Sequence, residues 1–464
     1  MPAETIPPRR VRIRGKSVRQ MAAQTGGGSR PSHIVVFNKP SPENASTLKR
    51  ILKVKDHAGA SLRSGIQLLT ARRVGGSLSR VYNRLAVATL DLEENDSECL
   101  VECGGVAGVF KNETRSIPKP VQAAASGGTI HSDPVINYVR GMRDMASLLL
   151  GRLGAESLDT DDLMGGTPVI RQRAERGRTH SWALEMIGIG PEYSRFTGKG
   201  IKVAVLDTGI DLGHPDFTGR LTDGDNAVSF VMRESVQDGH GHGSHCAGVV
   251  GGPRQSAGGR RYGVAPDVQL LIGKVLSNAG TGYDDQIIDA IDWANDAGAR
   301  VISMSLGSVR DVNGRYATLY ENIGRVLLDS NPGALIVAAA GNESARPHYT
   351  QPVGNPAACP SFMSVAATDE NRGIAAFSCR KMDNIGEVDI SAPGVSIFSA
   401  WANGRFWTDS GTSMATPHVA GVAALYIEQD PNATAREVWQ KLQRHALPAG
   451  AREDFGAGIV QAPS

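Results

Sequence analysis

Along the second half of the chain, apolar residues fall into short, nearly unbroken runs at 201–206, 268–276, 301–306, 334–340 and 362–367. A strand buried on both faces reads this way, because neither set of alternate side chains has to meet water. Helical stretches at 284–296 and 433–446 lie between or after them. Strands alternating with helices predict an α/β domain with a parallel sheet, whose functional residues gather at strand ends and helix starts. Nearer the N-terminus the pattern differs. HIVVF at 33–37, LAVATL at 85–90 and the run at 106–110 read as strands, with a helical stretch expected at 48–73 between the first two. These predict a small α+β domain. At 133–153, Val135, Val139, Met142, Ala146, Leu149 and Leu153 recur every three or four residues behind an Asp133-Pro134 start, predicting an amphipathic helix. An acidic stretch at 156–166 and a basic one at 171–178 then read as an exposed linker. The expected organisation is a flexible basic leader at 1–31, a small domain at 32–118, a helical segment and cleavable linker at 119–180, and the α/β domain at 181–464.

Composition narrows the function classes. The 464 residues exceed what one core usually organises, so more than one domain is expected. A formal net charge of +2 gives no field that points to nucleic acid. No apolar run is long enough to span a bilayer, so no membrane partner is expected, and the leader has no apolar stretch of the signal-peptide kind. The expected location is cytoplasmic. Five cysteines, an odd number, cannot form a complete disulfide framework within one copy, which favours a reducing compartment.

Four local patterns carry chemistry. Asp207 follows the run KVAVL and precedes Thr208-Gly209, where a carboxylate can leave a sheet end and orient an imidazole. In Gly241-His242-Gly243-Ser244-His245-Cys246, glycines flank an imidazole and small residues follow, as suits a tightly packed helix presenting a base in its first turn. His240 reads as a solvated loop residue and His245 as a structural one, since the spacing makes no convincing metal site. Asn342, after Ala338-Ala339-Ala340-Gly341, offers a carboxamide that donates to a developing oxyanion at any working pH. Ser413, in GTSMATPHVAG, sits at a helix start, where its hydroxyl can reach a base and its own N–H lies in the positive end of the helix dipole. His418, in the same run, reads as a packed residue.

VLDTGID, GHGSHCAG, AAAGN and GTSMATPHVAG resemble, in order, the Asp, His, oxyanion Asn and Ser blocks of the subtilases, the subtilisin-like serine peptidases. The resemblance implies a subtilisin-like parallel sheet flanked by helices. It also implies a serine endopeptidase with Asp207, His242, Ser413 and Asn342 catalytic, acting on protein or peptide substrates without a required cofactor. By the same resemblance Ser305, Leu306 and Gly307 form one wall of the primary specificity pocket, and Ala339, Ala340 and Gly341 the other. Gly354 is its floor, with room for a large apolar residue and with Glu343 at the rim. Gly280, Thr281 and Gly282 form the edge strand that pairs with an extended peptide. Cys246 resembles the thiol-bearing branch of the family, with sensitivity to mercurials implied; a buried small residue is the other reading. Asp216 matches an acid that helps bind structural calcium in some relatives, but the basic loop at 253–261 lacks the ligands calcium would need. SHIVVF, YNRLAVATL and VAGVFKNE resemble the family's ferredoxin-like inhibitory propeptide. The N-terminal region would then be an intramolecular inhibitor of an autoprocessed proenzyme, with the cut expected at 164–181.

Overall fold

The computed structural model describes residues 31–41, 48, 55–56, 66–70, 78–82, 85–90, 100, 105–118, 180–190 and 195–464. The leader and almost all of the expected 119–180 segment, with its amphipathic helix and linker, lie outside them. Strands β1 (His33–Phe37), β2 (Lys55–Asp56), β3 (Ile66–Thr70), β4 (Leu78–Tyr82), β5 (Val87–Leu90) and β6 (Val106–Lys111) make an antiparallel sheet in the order β2-β3-β4-β5-β1-β6. Two of them, β2 and β3, fall inside the stretch expected to be helical. There β3 pairs in full register with β4, so the ladder overrides local helix preference.

The two-residue alternation of β1 divides its side chains between two cores. Val35 and Phe37 pack with Leu48 and Leu100, both helical residues of the small α+β domain, while Ile34 and Val36 join the core of the large domain. Two residues beyond β6, strand β7 (Thr114–Ser116) leaves the sheet and enters the large domain.

That domain runs through α1 (Trp182–Met186), β8 (Lys202–Asp207), β9 (Ala227–Ser229), α2 (His242–Gly251), β10 (Gln269–Lys274), β11 (Thr281–Tyr283), α3 (Asp284–Asp296), β12 (Val301–Met304), α4 (Thr318–Asp329), β13 (Leu335–Ala339), β14 (Met363–Thr368), β15 (Ile390–Pro393), β16 (Ile397–Trp401), β17 (Arg405–Asp409), α5 (Thr412–Gln429), α6 (Ala435–His445) and α7 (Arg452–Phe455). Seven strands form a parallel sheet in the order β15-β14-β13-β12-β8-β10-β9. Alternation again sorts the core. Val203, Val205, Leu270, Ile272 and Val337 face α2 and α5, whereas Ala204, Leu206, Leu271, Ile302 and Ile336 face α3 and α4. Both faces are covered, which explains the unbroken apolar runs. Among the described residues no helix is long and apolar enough to cross a membrane.

Candidate active site

The last residue of β8 is Asp207, and the first of α2 is His242; Oδ1 of the one lies 2.7 Å from Nδ1 of the other. Both side chains are buried, 1% and 3% exposed. The same Oδ1 accepts from the Thr208 N–H at 2.7 Å, which orients the carboxylate. Burial disfavours the imidazolium form of His242, but the charge of Asp207, helped by Cys246, reverses this and holds the ring well above its ordinary pKa. Nε2 of His242 has no hydrogen-bond partner among the described residues and is left for chemistry.

Gly241 makes the turn into α2 with φ of 107°, in the left-handed region, and a Cβ there would lie 2.2 Å from Trp401. Asp238 ties this turn together. Its carboxylate accepts from the N–H groups of His240, Gly241 and Ser244 and from the hydroxyls of Ser244 and Thr208, while Thr208 in turn accepts from the Gly243 N–H. The Asp207 turn and the His242 helix start are thus held by one buried acid that the sequence reading did not single out. An Asp shortly before a helix start was the available signal.

Ser413 is the second residue of α5, so its N–H belongs to the open first turn of an 18-residue helix. Pro417 lies four residues on and has no N–H to give the Ser413 carbonyl. That carbonyl accepts instead from Ser305 Oγ at 2.8 Å and from the Cys246 thiol at 3.6 Å. The proline therefore lets two neighbouring segments lock the backbone of Ser413. Cys246 is fully buried, and burial raises its thiol pKa, which favours the small buried-residue reading of it. Oδ1 of Asn342 accepts from the N–H and hydroxyl of Thr412, both at 2.8 Å, which turns Nδ2 toward the cleft.

A strand of the chain itself fills that cleft. β7 runs antiparallel to β11, with Thr114 opposite Tyr283, Arg115 opposite Gly282 and Ser116 opposite Thr281. On its other edge Ser116 exchanges both backbone bonds with Gly307, at 3.1 and 2.9 Å. The Ile117 N–H then donates to the Gly280 carbonyl at 3.2 Å, and the Pro118 carbonyl accepts from Asn342 Nδ2 at 3.0 Å. Gly280, Thr281 and Gly282, expected as the edge that pairs with an extended peptide, line one side of this strand, and Gly307, expected in a wall of the specificity pocket, pairs with the other. Ser305 and Leu306 lead from β12 to Gly307; Ala339 ends β13, and Gly354 donates to the Ala340 carbonyl at 2.9 Å. Gly341 donates to Thr412 Oγ1 at 3.2 Å, tying this wall to α5.

Some expectations shift. His240 is half-buried rather than solvated, its ring 6.2 Å from that of His242. His245 and His418 are packed as expected: each ring bonds a backbone carbonyl, and burial lowers both to about 4. Glu343 is 9% exposed and accepts from the Cys379 thiol at 3.3 Å, and burial pushes its carboxyl up, so it is a packed acid rather than one standing free at a rim. The Asp216 carboxylate accepts hydrogen bonds from Ser256 Oγ, the Ala257 N–H and the Tyr262 hydroxyl at 2.6 to 2.8 Å. Such a donor set does not fit calcium, which needs oxygen lone pairs. Asp207, His242 and Cys246 could together reach a metal ion, but the first two already spend their facing atoms on each other.

Residues 198–458 match the model of the subtilase family. The chain is 35% identical over 315 residues to the "Alkaline protease" of Alkalihalobacillus alcalophilus, covering 67% of this chain and 77% of that protein. It is 37% identical over 283 residues to "Subtilisin Savinase" of Lederbergia lenta, covering 61% of this chain and 96% of that one. The solved structure of "Sphericase" superposes with a TM-score of 0.53 at 31% identity, over 62% of this chain and 99% of that one. The expectation of a cytoplasmic location gains no support from these relatives. With its parallel sheet, its buried Asp207–His242 pair and a family match spanning more than half its length, the chain belongs to the subtilase family of serine endopeptidases.

Proposed function

We propose that this subtilisin-like serine endopeptidase works through Asp207, His242, Ser413 and Asn342, and that it is made as a proenzyme inhibited by its own N-terminal region. Ser413 Oγ bonds to the carbonyl carbon of the substrate while its proton passes to His242 Nε2. Asp207 holds the imidazole and balances the imidazolium; Asn342 Nδ2 and the Ser413 N–H take the oxyanion. The C–N bond then breaks, the amine leaves with the proton from His242, and water releases the acyl group by the reverse path.

The observation that carries this reading is the Pro118 carbonyl held by Asn342 at 3.0 Å, at the end of a strand lying in the cleft like a substrate. The bond so presented is the one between Pro118 and Lys119. Our reading therefore moves the first cut there from the 164–181 stretch. Gly354 beside the pocket supports a large apolar residue as the preferred one before the cut in other substrates.

Intact mass and N-terminal sequencing of the full chain and of its Ser413→Ala variant, after incubation, test the proposal. A fragment beginning at Lys119 in the wild type alone is the expected result. A wild type that stays whole and cuts no peptide would sink both parts of the reading; one that cuts peptides but stays whole would sink only the self-processing part.

A further inference from the structure

The fourth residue before the presented bond is Arg115, and its side chain is the most specifically held on the cleft strand. It is 5% exposed, and its planar guanidinium faces the carboxylate of Asp284, itself 1% exposed, with Nε to Oδ1 at 2.7 Å and Nη2 to Oδ2 at 3.1 Å. The third nitrogen, Nη1, donates to Ser308 Oγ at 2.8 Å, and the plane lies over the Tyr320 ring at 5.6 Å. Tyr320 also donates its hydroxyl to Asp284 Oδ1 at 2.7 Å, which fixes the acid. Asp284, Ser308 and Tyr320 all belong to the large domain and remain when the strand leaves.

We infer that Asp284, Ser308 and Tyr320 form an arginine subsite, so that the enzyme selects protein substrates with arginine four residues before the cut; this rests on the catalytic reading above. Lysine, a compact point charge, cannot make the paired bond to the carboxylate and the third bond to Ser308 together. An uncharged side chain would leave the acid buried without its counterion, and burial already pushes the Asp284 carboxyl up with Arg115 as the largest opposing influence. Glu113 touches Arg115 as well, at 3.1 Å, but it lies in the link just before the cleft strand, would leave with it and is mostly exposed, so it is no part of the subsite.

The test is a competition. Three peptides, identical but for arginine, citrulline or norleucine three residues before a phenylalanine, and so fourth before the bond that follows it, are mixed with the full-length protein and their loss is followed by mass spectrometry. In a mixture the ratio of losses gives the ratio of kcat/KM whatever fraction of the enzyme is blocked by its own strand. We expect arginine to lead citrulline by about thirtyfold or more, the low end of what stranding one partner of a buried charge pair costs. Asp284→Asn should bring the ratio to within about threefold. Equal loss of the three peptides with the wild type would overturn the subsite. If no peptide is cut and the chain also stays whole, the catalytic reading fails; whenever no peptide is cut, the subsite is decided by a second measurement. In the full-length Ser413→Ala protein, Arg115→Gln should speed hydrogen exchange at the Ser116 and Ile117 amides by about tenfold or more, and unchanged exchange would refute it.

Discussion

The register of the cleft strand makes Pro118 an informative residue to change. Ser116 and Gly307 exchange both backbone bonds, so the next such pair in an antiparallel ladder is Pro118 opposite Ser305. Proline has no N–H to donate there. The Ser305 carbonyl accepts instead from the Ser413 hydroxyl, at 3.4 Å, while His242 Nε2 has no partner among the described residues. An alanine at 118 would supply the missing donor, occupy the Ser305 carbonyl and leave the Ser413 hydroxyl free to turn to His242. A neutral hydrogen bond contributes about 0.5–1.5 kcal/mol net, so removing this competing bond should lower the barrier by a similar amount, a rate gain of about two- to tenfold. The prediction is that Pro118→Ala cleaves itself after residue 118 about two- to tenfold faster than wild type. Time courses of intact mass under dilute conditions, where one molecule cannot cut another, give the rate. An equal or slower rate would refute the idea that proline holds the nucleophile aside.

Asn342→Ala should lower kcat by about a hundredfold to a thousandfold with little effect on folding, a magnitude carried over from the same donor in subtilisin; unchanged turnover would remove Asn342 from the oxyanion site. The base must be neutral to act, and His242 is held above its ordinary value, so activity should rise with pH to a midpoint above 6.5. Asp207→Asn removes the main raising influence and leaves burial, so the midpoint should fall while the rate drops; a fixed midpoint would dismiss the pair as the cause. A Cβ at Gly282 would lie 2.1 Å from the Val275 carbonyl oxygen, so Gly282→Ala should displace β11 and raise KM for long peptides more than for short ones. Equal changes for both lengths would count against β11 as the docking edge.

The sheet strands and the placing of the four candidate residues at strand ends and helix starts were legible because each imposes demands on its own neighbours. Burial on both faces makes an apolar run, and an imidazole at a crowded helix start needs Gly241 beside it. What escaped the reading depends on distant partners. Asp284 looks like an ordinary first-turn acid until Arg115, 169 residues away, is brought against it. The β16–β17 hairpin was also missed, although Asn403-Gly404 between its strands is a turn signal. The segment Ile66–Thr70 misled for the opposite reason, since it pairs with a strand that comes later in the chain.

Only Asn112 and Glu113 separate β6, in the N-terminal sheet, from β7, in the cleft. The link is itself docked: Asn112 Oδ1 accepts from the Asp285 N–H and the Glu113 carbonyl from the Asp284 N–H, at the start of α3. A cut after Pro118 therefore leaves the sheet and the cleft strand on one fragment, a bivalent ligand. Each attachment keeps the other at high effective concentration, so the fragment departs only when both let go together. Severing the covalent bond and freeing the cleft are then separate events in time. A second cut at the link would turn one persistently bound fragment into two ligands that dilution can remove.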